Sequence, residues 1–437
     1  MPISRASQTN PIMHRFEIRV LSMWKALRIS LDFLSAAWTV EGCSRGFARP
    51  FPGHRERVRF EVKPSTLVVH SRAMARVAYF VSPHGFGHAA RACAVMAEVA
   101  HLRPGVRFDL FTEVPEWFFA DSLPECYVYH RLSSDVGMVQ LSPFLEDLDA
   151  TVDRLDLSPL ADSSTVEAIA RDLRTHDFGL VVCDIAPLGL AAAARAGIPS
   201  VLVENFTWDW IYSQIPQAPS RLRDHGTRMA EIFSSADLRI QTEPECERVS
   251  RAIRVSPVAR QPKLTRREVR SRLGVPDDEN MVVVSMGGVP WEAGGFSALA
   301  QSDGSWIVVP GGTEGEANRR GRLLLLPFHA DIYHPDLVAA SDAVVSKLGY
   351  STVAEAYCCA SALAYVERAR FPESPVLARW VEANLVSARI EENDLASGAW
   401  LKAVDKLLEV PRRRPEVRNG ARRAAEIILE KFGSNLI

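Results

Sequence analysis

The stretch "ARVAYFVSPHGFGHAAR", residues 75–91, decides how this chain is read. An apolar, partly β-branched run from Val77 to Ser82 ends in a turn that holds Gly85 and Gly87, and an alanine-rich segment follows from His88. Strand, glycine turn and helix in that order are the opening of a parallel α/β layer. Gly85, Gly87 and Ala90 also fit G-x-G-x-x-A, the turn that lets a backbone approach a pyrophosphate. His84 and His88 sit among these glycines, and that fingerprint has no need of them.

The alternation continues outward from this unit. Runs suited to buried strands occur at Val77–Ser82, Arg107–Phe111, Leu180–Cys183, Ser200–Val203 and Leu238–Gln241. Helical patterns follow His88 and cover Thr165–Thr175, Leu188–Ala196 and Arg221–Ser235, and Leu141–Leu160 also reads as helical. The segment "SPVARQPKLT", residues 256–265, carries two prolines and little apolar periodicity, so it reads as a linker. Beyond it the pattern restarts. "TRREVRSRLG" has a Thr cap and a closing Gly, and "MVVVSMGG", "SWIVVP", "RLLLLPF" and "SDAVVSK" are short continuous apolar runs. "STVAEAYCCA" reads as a helix, as does the stretch from about Pro415 to Phe432. The expected fold is α/β, with two Rossmann-like doubly wound domains facing a cleft. The expected boundaries are 74–258 for the first domain and 259–437 for the second.

Residues 1–73 differ from the rest. They hold twelve Lys/Arg against five Asp/Glu and show no strand–helix alternation, and Met74 stands just ahead of the first strand. The expectation is an extension that is disordered or untranslated. The 437 residues carry a net charge of −2, with no global basic field to attract nucleic acid. Seven scattered cysteines without a C-x-x-C pair fit a reducing compartment, so the cytoplasm is the expected location. No apolar run reaches the roughly 18 residues of a membrane span. Val20–Val40 is interrupted by Lys25, Arg28 and Asp32, which leaves peripheral membrane contact as the remaining option.

Three readings of the first loop compete. A nicotinamide or flavin cradle would use Glu113, at the end of the second strand, for ribose. A metal site would use His84 and His88, or His329 and His334, but neither pair shares a helix face with a third ligand. The third reading is a two-domain, B-type glycosyltransferase, in which the first loop serves the acceptor and the second domain holds the nucleotide. That domain offers what the third reading needs. Gly287 and Gly288 follow a strand, and Lys347, Gly349, Ser351 and Thr352 surround a glycine turn at a helix start, where N–H groups favour a diphosphate. Glu355, at the end of the helix's first turn, is placed to accept from ribose hydroxyls.

From about Arg76 to Trp400 the chain resembles the glycosyltransferase-like N-terminal region of L-arabinokinases and stand-alone bacterial relatives. The stretches that carry the resemblance are "SPHGFGHAAR", "CDIAPLGLAAAARAGIPSVLVENFTWDWIY", "VVVSMGG", "HPDLVAASDAVVSKLGYSTVAEA" and "RFPESPVL". More distantly it is similar to transferases that add N-acetylglucosamine to lipid-linked precursors. The resemblance implies a glycosyltransferase B fold and transfer from a nucleoside-diphosphate sugar, most often a UDP-sugar, to an unidentified acceptor, without metal or other cofactor. It also implies His88 as the base that takes the acceptor proton, with Asp184 orienting it. His84, Gly85, Gly87, Asn205, Trp208 and Asp209 then fall on the acceptor side, and Glu373 reads donor hydroxyls. Serine stands at 351 where relatives often carry glycine. No Pro-x-x-x-Gly-Leu-Ser-Ser phosphate loop is present, so kinase activity is not implied. A non-catalytic nucleotide-sugar sensor, or a hydrolase or epimerase on the same fold, would need the same donor site.

Overall fold

The computed structural model describes residues 76–123, 126–142, 144–286, 299, 304–327, 330–411 and 418–436. The extension 1–73, Gly287, Gly288 and His329 lie outside the described residues.

The first sheet runs in the order β3-β2-β1-β6-β7-β8-β9, with every neighbouring pair parallel. Its strands are β1 (Arg76–Val81), β2 (Arg107–Thr112), β3 (Tyr127–Arg131), β6 (Leu180–Asp184), β7 (Ser200–Glu204), β8 (Leu238–Thr242) and β9 (Ile253–Val255). Between β3 and β6 lies a separate antiparallel pair, β4 (Gln140–Ser142) and β5 (Leu145–Glu146). The central strands are buried on both faces, which is why they read as continuous apolar runs. Successive residues of β1 go to opposite faces. Val77, Tyr79 and Val81 pack with helix Phe86–Leu102, and Ala78 and Phe80 pack with helices Pro187–Ala196 and Ser220–Ser234.

The second sheet follows the order β12-β13-β11-β10-β14-β15-β16. It comprises β10 (Met281–Ser285), β11 (Trp306–Thr313), β12 (Asn318–Arg320), β13 (Leu323–Pro327), β14 (Ala343–Lys347), β15 (Ala362–Val366) and β16 (Ser387–Ile390). Only the edge strand β12 is antiparallel among these described strands. Two sheets, each flanked by helices, give the two-domain α/β fold expected from the sequence. The strand order reverses between β1 and β6 in one sheet and between β10 and β14 in the other. Ligands of open α/β sheets bind at such reversals, beyond the carboxyl ends of the strands.

Segment 256–265 joins β9 to helix Arg266–Leu273. Thr265 caps that helix through a capping box with Glu268. Two readings of the sequence need correction. Leu141–Leu160 is not one helix: the β4–β5 pair comes first, and helix Leu148–Asp156 begins only at Asp147, whose side chain accepts from the Ala150 N–H. Nor does the chain after residue 259 stay on the second sheet. Helix Ala421–Phe432 lies against helix Phe86–Leu102, burying Ala424, Ile427, Ile428 and Phe432 in the core of the first domain. Its polar–apolar pattern showed that one face would be buried, but not against which domain. Among the described residues no helix is long and apolar enough to cross a membrane.

Candidate functional site

A cavity of about 860 Å³ lies between the two sheets and is walled by both. Its first-domain wall starts at the loop after β1. Gly85 sits at φ 77°, a left-handed conformation that glycine adopts without strain, and it opens helix Phe86–Leu102. That turn delivers His88 to the first turn of the helix, where it lines the cavity with its ring largely buried.

Asp184 is the last residue of β6, beside Val81 of β1 and therefore at the strand reversal. Its carboxylate is fully buried and meets three donors. His88 Nδ1 donates to Oδ1 at 2.9 Å, and Arg91 donates through Nη2 to Oδ1 at 2.6 Å and through Nε to Oδ2 at 2.7 Å. Burial alone would raise the Asp184 pKa. The Arg91 charge and the bonds from His88 and Arg91 outweigh it and hold the carboxyl below its usual range. An ionised carboxylate only accepts, so the Nδ1–Asp184 bond places the proton of a neutral His88 on Nδ1 and the free lone pair on Nε2. Ile185, which follows, is buried at φ 41°, a costly conformation for a β-branched residue.

The sequence reading missed Arg91, although Arg91 lies three residues beyond His88 on the same helix face. It also missed Asp135, in the loop after β3. That buried carboxylate lines the cavity and accepts from the Ser82 hydroxyl (2.7 Å), the Trp208 indole N–H and the Val136 N–H (2.8 Å). Burial raises its pKa despite these bonds. No local pattern marks Asp135.

The other acceptor-side residues fall into different roles. His84 lines the cavity with Nδ1 accepting the Met138 N–H (3.3 Å) and Nε2 3.0 Å from the Gln140 amide. Burial, then the neighbouring His88, Arg368 and Lys347, push its pKa well down, so the ring is neutral. Gly85 and Gly87 form the wall itself. Asn205 touches the cavity, but its side chain serves Arg91 on one side and Thr242 on the other. Trp208 is packed among His84, Phe206 and Tyr212. It holds Asp135 in place and does not offer an open face for stacking. Asp209 lies outside the cavity wall, in the first turn of helix Trp208–Gln214.

The second-domain wall brings together Lys347, Gly349, Ser351, Thr352 and Glu373. Gly349 is the N-cap of helix Tyr350–Cys359 without a side-chain cap bond, so the helix presents uncapped N–H groups to the cavity. Lys347, at the end of β14, has its pKa lowered to about 7 by burial and by Arg368, partly countered by Glu373. Glu373 is half-buried, and its Oε2 is shut off from water without a hydrogen-bond partner. Burial raises its pKa, against the pull of Arg368 and Lys347. Arg368, absent from the sequence reading, also lines the cavity, stacked 3.2 Å over the Phe371 ring.

Glu355 does not face the cavity. Both its oxygens are engaged: Oε1 by Arg260 of the linker (2.9 and 3.1 Å), and Oε2 by His334 Nδ1 (3.0 Å). The ribose role expected of it is therefore not supported by its placement, because the linker arginine takes the acceptor that a ribose would need. Its pKa falls to about 2: burial opposes the shift, and Arg260 and His334 impose it. His334 is thus tied to Glu355 and to Ser285 (3.0 Å). Among the described residues no group of three or more His, Cys, Asp or Glu side chains is placed to hold a metal ion.

No family model matches the chain. An L-arabinokinase of Arabidopsis thaliana is 29% identical over 361 residues, covering 81% of this chain and 34% of that protein. The chain thus spans about a third of the length of that relative. An uncharacterized glycosyltransferase of Methanopyrus kandleri is 24% identical over 290 residues, covering 62% of this chain and 80% of the relative. Among solved structures, UGT2 of Phytolacca americana, complexed with UDP-2fluoro-glucose and pterostilbene, matches with a TM-score of 0.53. At 14% identity, over 83% of this chain and 94% of that one, this likeness concerns the fold.

Proposed function

We propose that this chain, which has the B-type glycosyltransferase fold and an L-arabinokinase and an archaeal glycosyltransferase as relatives, moves a sugar from a nucleoside-diphosphate donor to an acceptor hydroxyl. One observation carries the reading. A carboxylate-oriented histidine on one domain and an uncapped helix N-terminus beside a lysine on the other line the same cavity.

In the proposed step the acceptor oxygen bonds to the anomeric carbon as the bond from that carbon to the diphosphate oxygen breaks. The acceptor proton passes to His88 Nε2, and Asp184 stabilises the imidazolium that results. The electron pair departs on the diphosphate. Lys347 and the N–H groups of Ser351 and Thr352 meet its charge at the positive end of the helix, so the step routes through no metal. The unpartnered Glu373 Oε2 accepts from donor-sugar hydroxyls. Buried and unsatisfied, it gains a bond only when a ligand supplies one. UDP-sugars are the first donors to test, since UGT2 was solved with one.

The test is isothermal titration with UDP-, GDP- and TDP-sugars, followed by nucleotide release with and without an acceptor panel. Binding of one donor class, with release that depends on an acceptor, is expected. If no nucleotide sugar binds, the donor reading fails. Release without any acceptor would make the protein a hydrolase, and binding without release would make it a sensor.

A further inference from the structure

We propose that the β4–β5 hairpin is a strap across the cleft, and that Glu146 is a positioning residue that holds the donor-sugar loop through Arg370. The positioning role rests on the reading of the cavity given above; the strap does not.

Gln140 and Glu146 are register partners across the two-stranded ribbon. Each reaches one wall of the cavity. The Gln140 amide lies 3.0 Å from His84 Nε2, in the loop that leads to His88. The Glu146 carboxylate, 5% exposed, receives Arg370 through Nε at 2.7 and 3.0 Å and through Nη2 at 2.6 Å. Arg370 belongs to the second domain, so a single rung of the hairpin touches both halves of the molecule. Phe144 adds an apolar anchor by packing against the second-domain core around Val282, Val284 and Trp400.

The loop that Arg370 serves is a closed turn. Arg368 N–H bonds the Ser374 hydroxyl (2.8 Å), Phe371 N–H bonds the Arg368 carbonyl (2.9 Å), and Ser374 N–H bonds the Phe371 carbonyl (2.9 Å). Such a turn moves as a unit, so a hold on Arg370 is transmitted to Glu373, three residues on. The pairing is favoured energetically. A fork-shaped guanidinium matches a carboxylate at two points, and here the carboxylate is buried while the arginine keeps contact with water. Losing the pair would leave a buried carboxylate without its counter-charge, which favours release of the whole hairpin over a local break.

Hydrogen exchange on the ligand-free chain tests the strap, comparing the parent with Glu146→Gln, Arg370→Glu and the swapped pair Glu146→Arg/Arg370→Glu. Exchange at 140–146 and at 367–374 is expected to speed together by about tenfold or more in each single variant, and to slow again in the swap. A tenfold change corresponds to about 1.4 kcal/mol. Melting temperatures of the isosteric Glu146→Gln variant report whether the whole fold is affected. Unchanged exchange, or acceleration in one segment alone, overturns the strap. For positioning, UDP and UDP-glucose are titrated into parent and Glu146→Gln. The variant is expected to keep its UDP affinity and to lose the added affinity contributed by glucose. Loosening of both segments with UDP-glucose affinity unchanged overturns the positioning role. If neither probe binds the parent, the donor reading of the cavity fails, and the exchange result alone decides the strap.

Discussion

A Cβ placed on Gly87 would stand 3.7 Å from the Ser351 Oγ, so the first-domain loop and the N-terminal turn of helix Tyr350–Cys359 lie one van der Waals contact apart. The two domains therefore close on the cavity at the point where His88 and the helix N-terminus converge. A methyl group fits this gap and a branched side chain does not. Gly87→Ala should keep both stability and donor binding. Gly87→Leu should melt within about 4 °C of the parent, the shift produced by roughly 1 kcal/mol in a large domain. It should nonetheless lose most donor affinity by isothermal titration. Undiminished binding in Gly87→Leu would mean that the donor does not pass this gap.

His88 and Asp184 should separate under mutation. His88→Ala is expected to leave nucleotide-sugar affinity nearly unchanged and to lower turnover by about 10² to 10⁴-fold. Asp184→Asn removes the counter-charge of a buried Arg91 as well as the orienting acceptor. Breaking a buried pair on one side costs about 3–5 kcal/mol, so this variant should also melt well below the parent. Equal melting temperatures for the two variants would show that the Arg91–Asp184 pair does not support the fold.

Lys347 makes donor binding dependent on pH. Free, it titrates near 7. A diphosphate favours the ammonium form, so binding takes up a proton whenever the pH exceeds that value. Affinity for UDP should be level below about pH 7 and fall above it, by at most about tenfold per pH unit. Lys347→Met should flatten the profile. The sign for stability is opposite. The unfolded lysine titrates near 10.4 and binds the proton more tightly than the folded one, so this group makes the fold more stable as pH rises from about 7 to about 10. An affinity profile unchanged by Lys347→Met would remove the lysine from the diphosphate site.

Glu355 should behave as part of the framework. Its pKa near 2 lies below that of a free glutamate. Its contribution is therefore fully present above about pH 4.3 and is lost as pH falls toward 2. Glu355→Ala leaves Arg260 buried without its partner and should lower the melting temperature by several degrees. Glu355→Met/Arg260→Met replaces the pair with apolar groups and should recover much of the loss, as buried ion pairs often allow. A Glu355→Ala variant with parental stability but weakened donor binding would restore the ribose role.

The strand–helix alternation was legible because parallel strands buried on both faces carry continuous apolar runs, here Val77–Val81, Leu180–Cys183, Met281–Val284 and Ala343–Val345. His88 was legible because glycine turn, histidine and helix start lie together in the chain. What escaped depends on encounters that no local pattern encodes. Arg260 is 95 residues from Glu355, and Arg370 is 224 from Glu146. The identity of Glu355 and its place on its helix were readable, but the neighbour that occupies its carboxylate was not. The amphipathic pattern of helix Ala421–Phe432 fixed a buried face and left open which sheet it would cover.

The return of that last helix to the first domain means that the polypeptide passes between the domains twice. The two passages are bonded side by side: Gly420 N–H to the Pro257 carbonyl at 2.9 Å, and the Asn419 amide to the Ala259 carbonyl at 2.6 Å. A body joined to another by one strand of chain can swivel about any direction, whereas one joined by two adjacent strands resists twisting and bends most readily about the line between them. Side-by-side passages therefore favour opening and shutting of the halves over swivelling. His88 and the Tyr350–Cys359 helix should separate and meet again along one arc, keeping their mutual alignment from one cycle to the next.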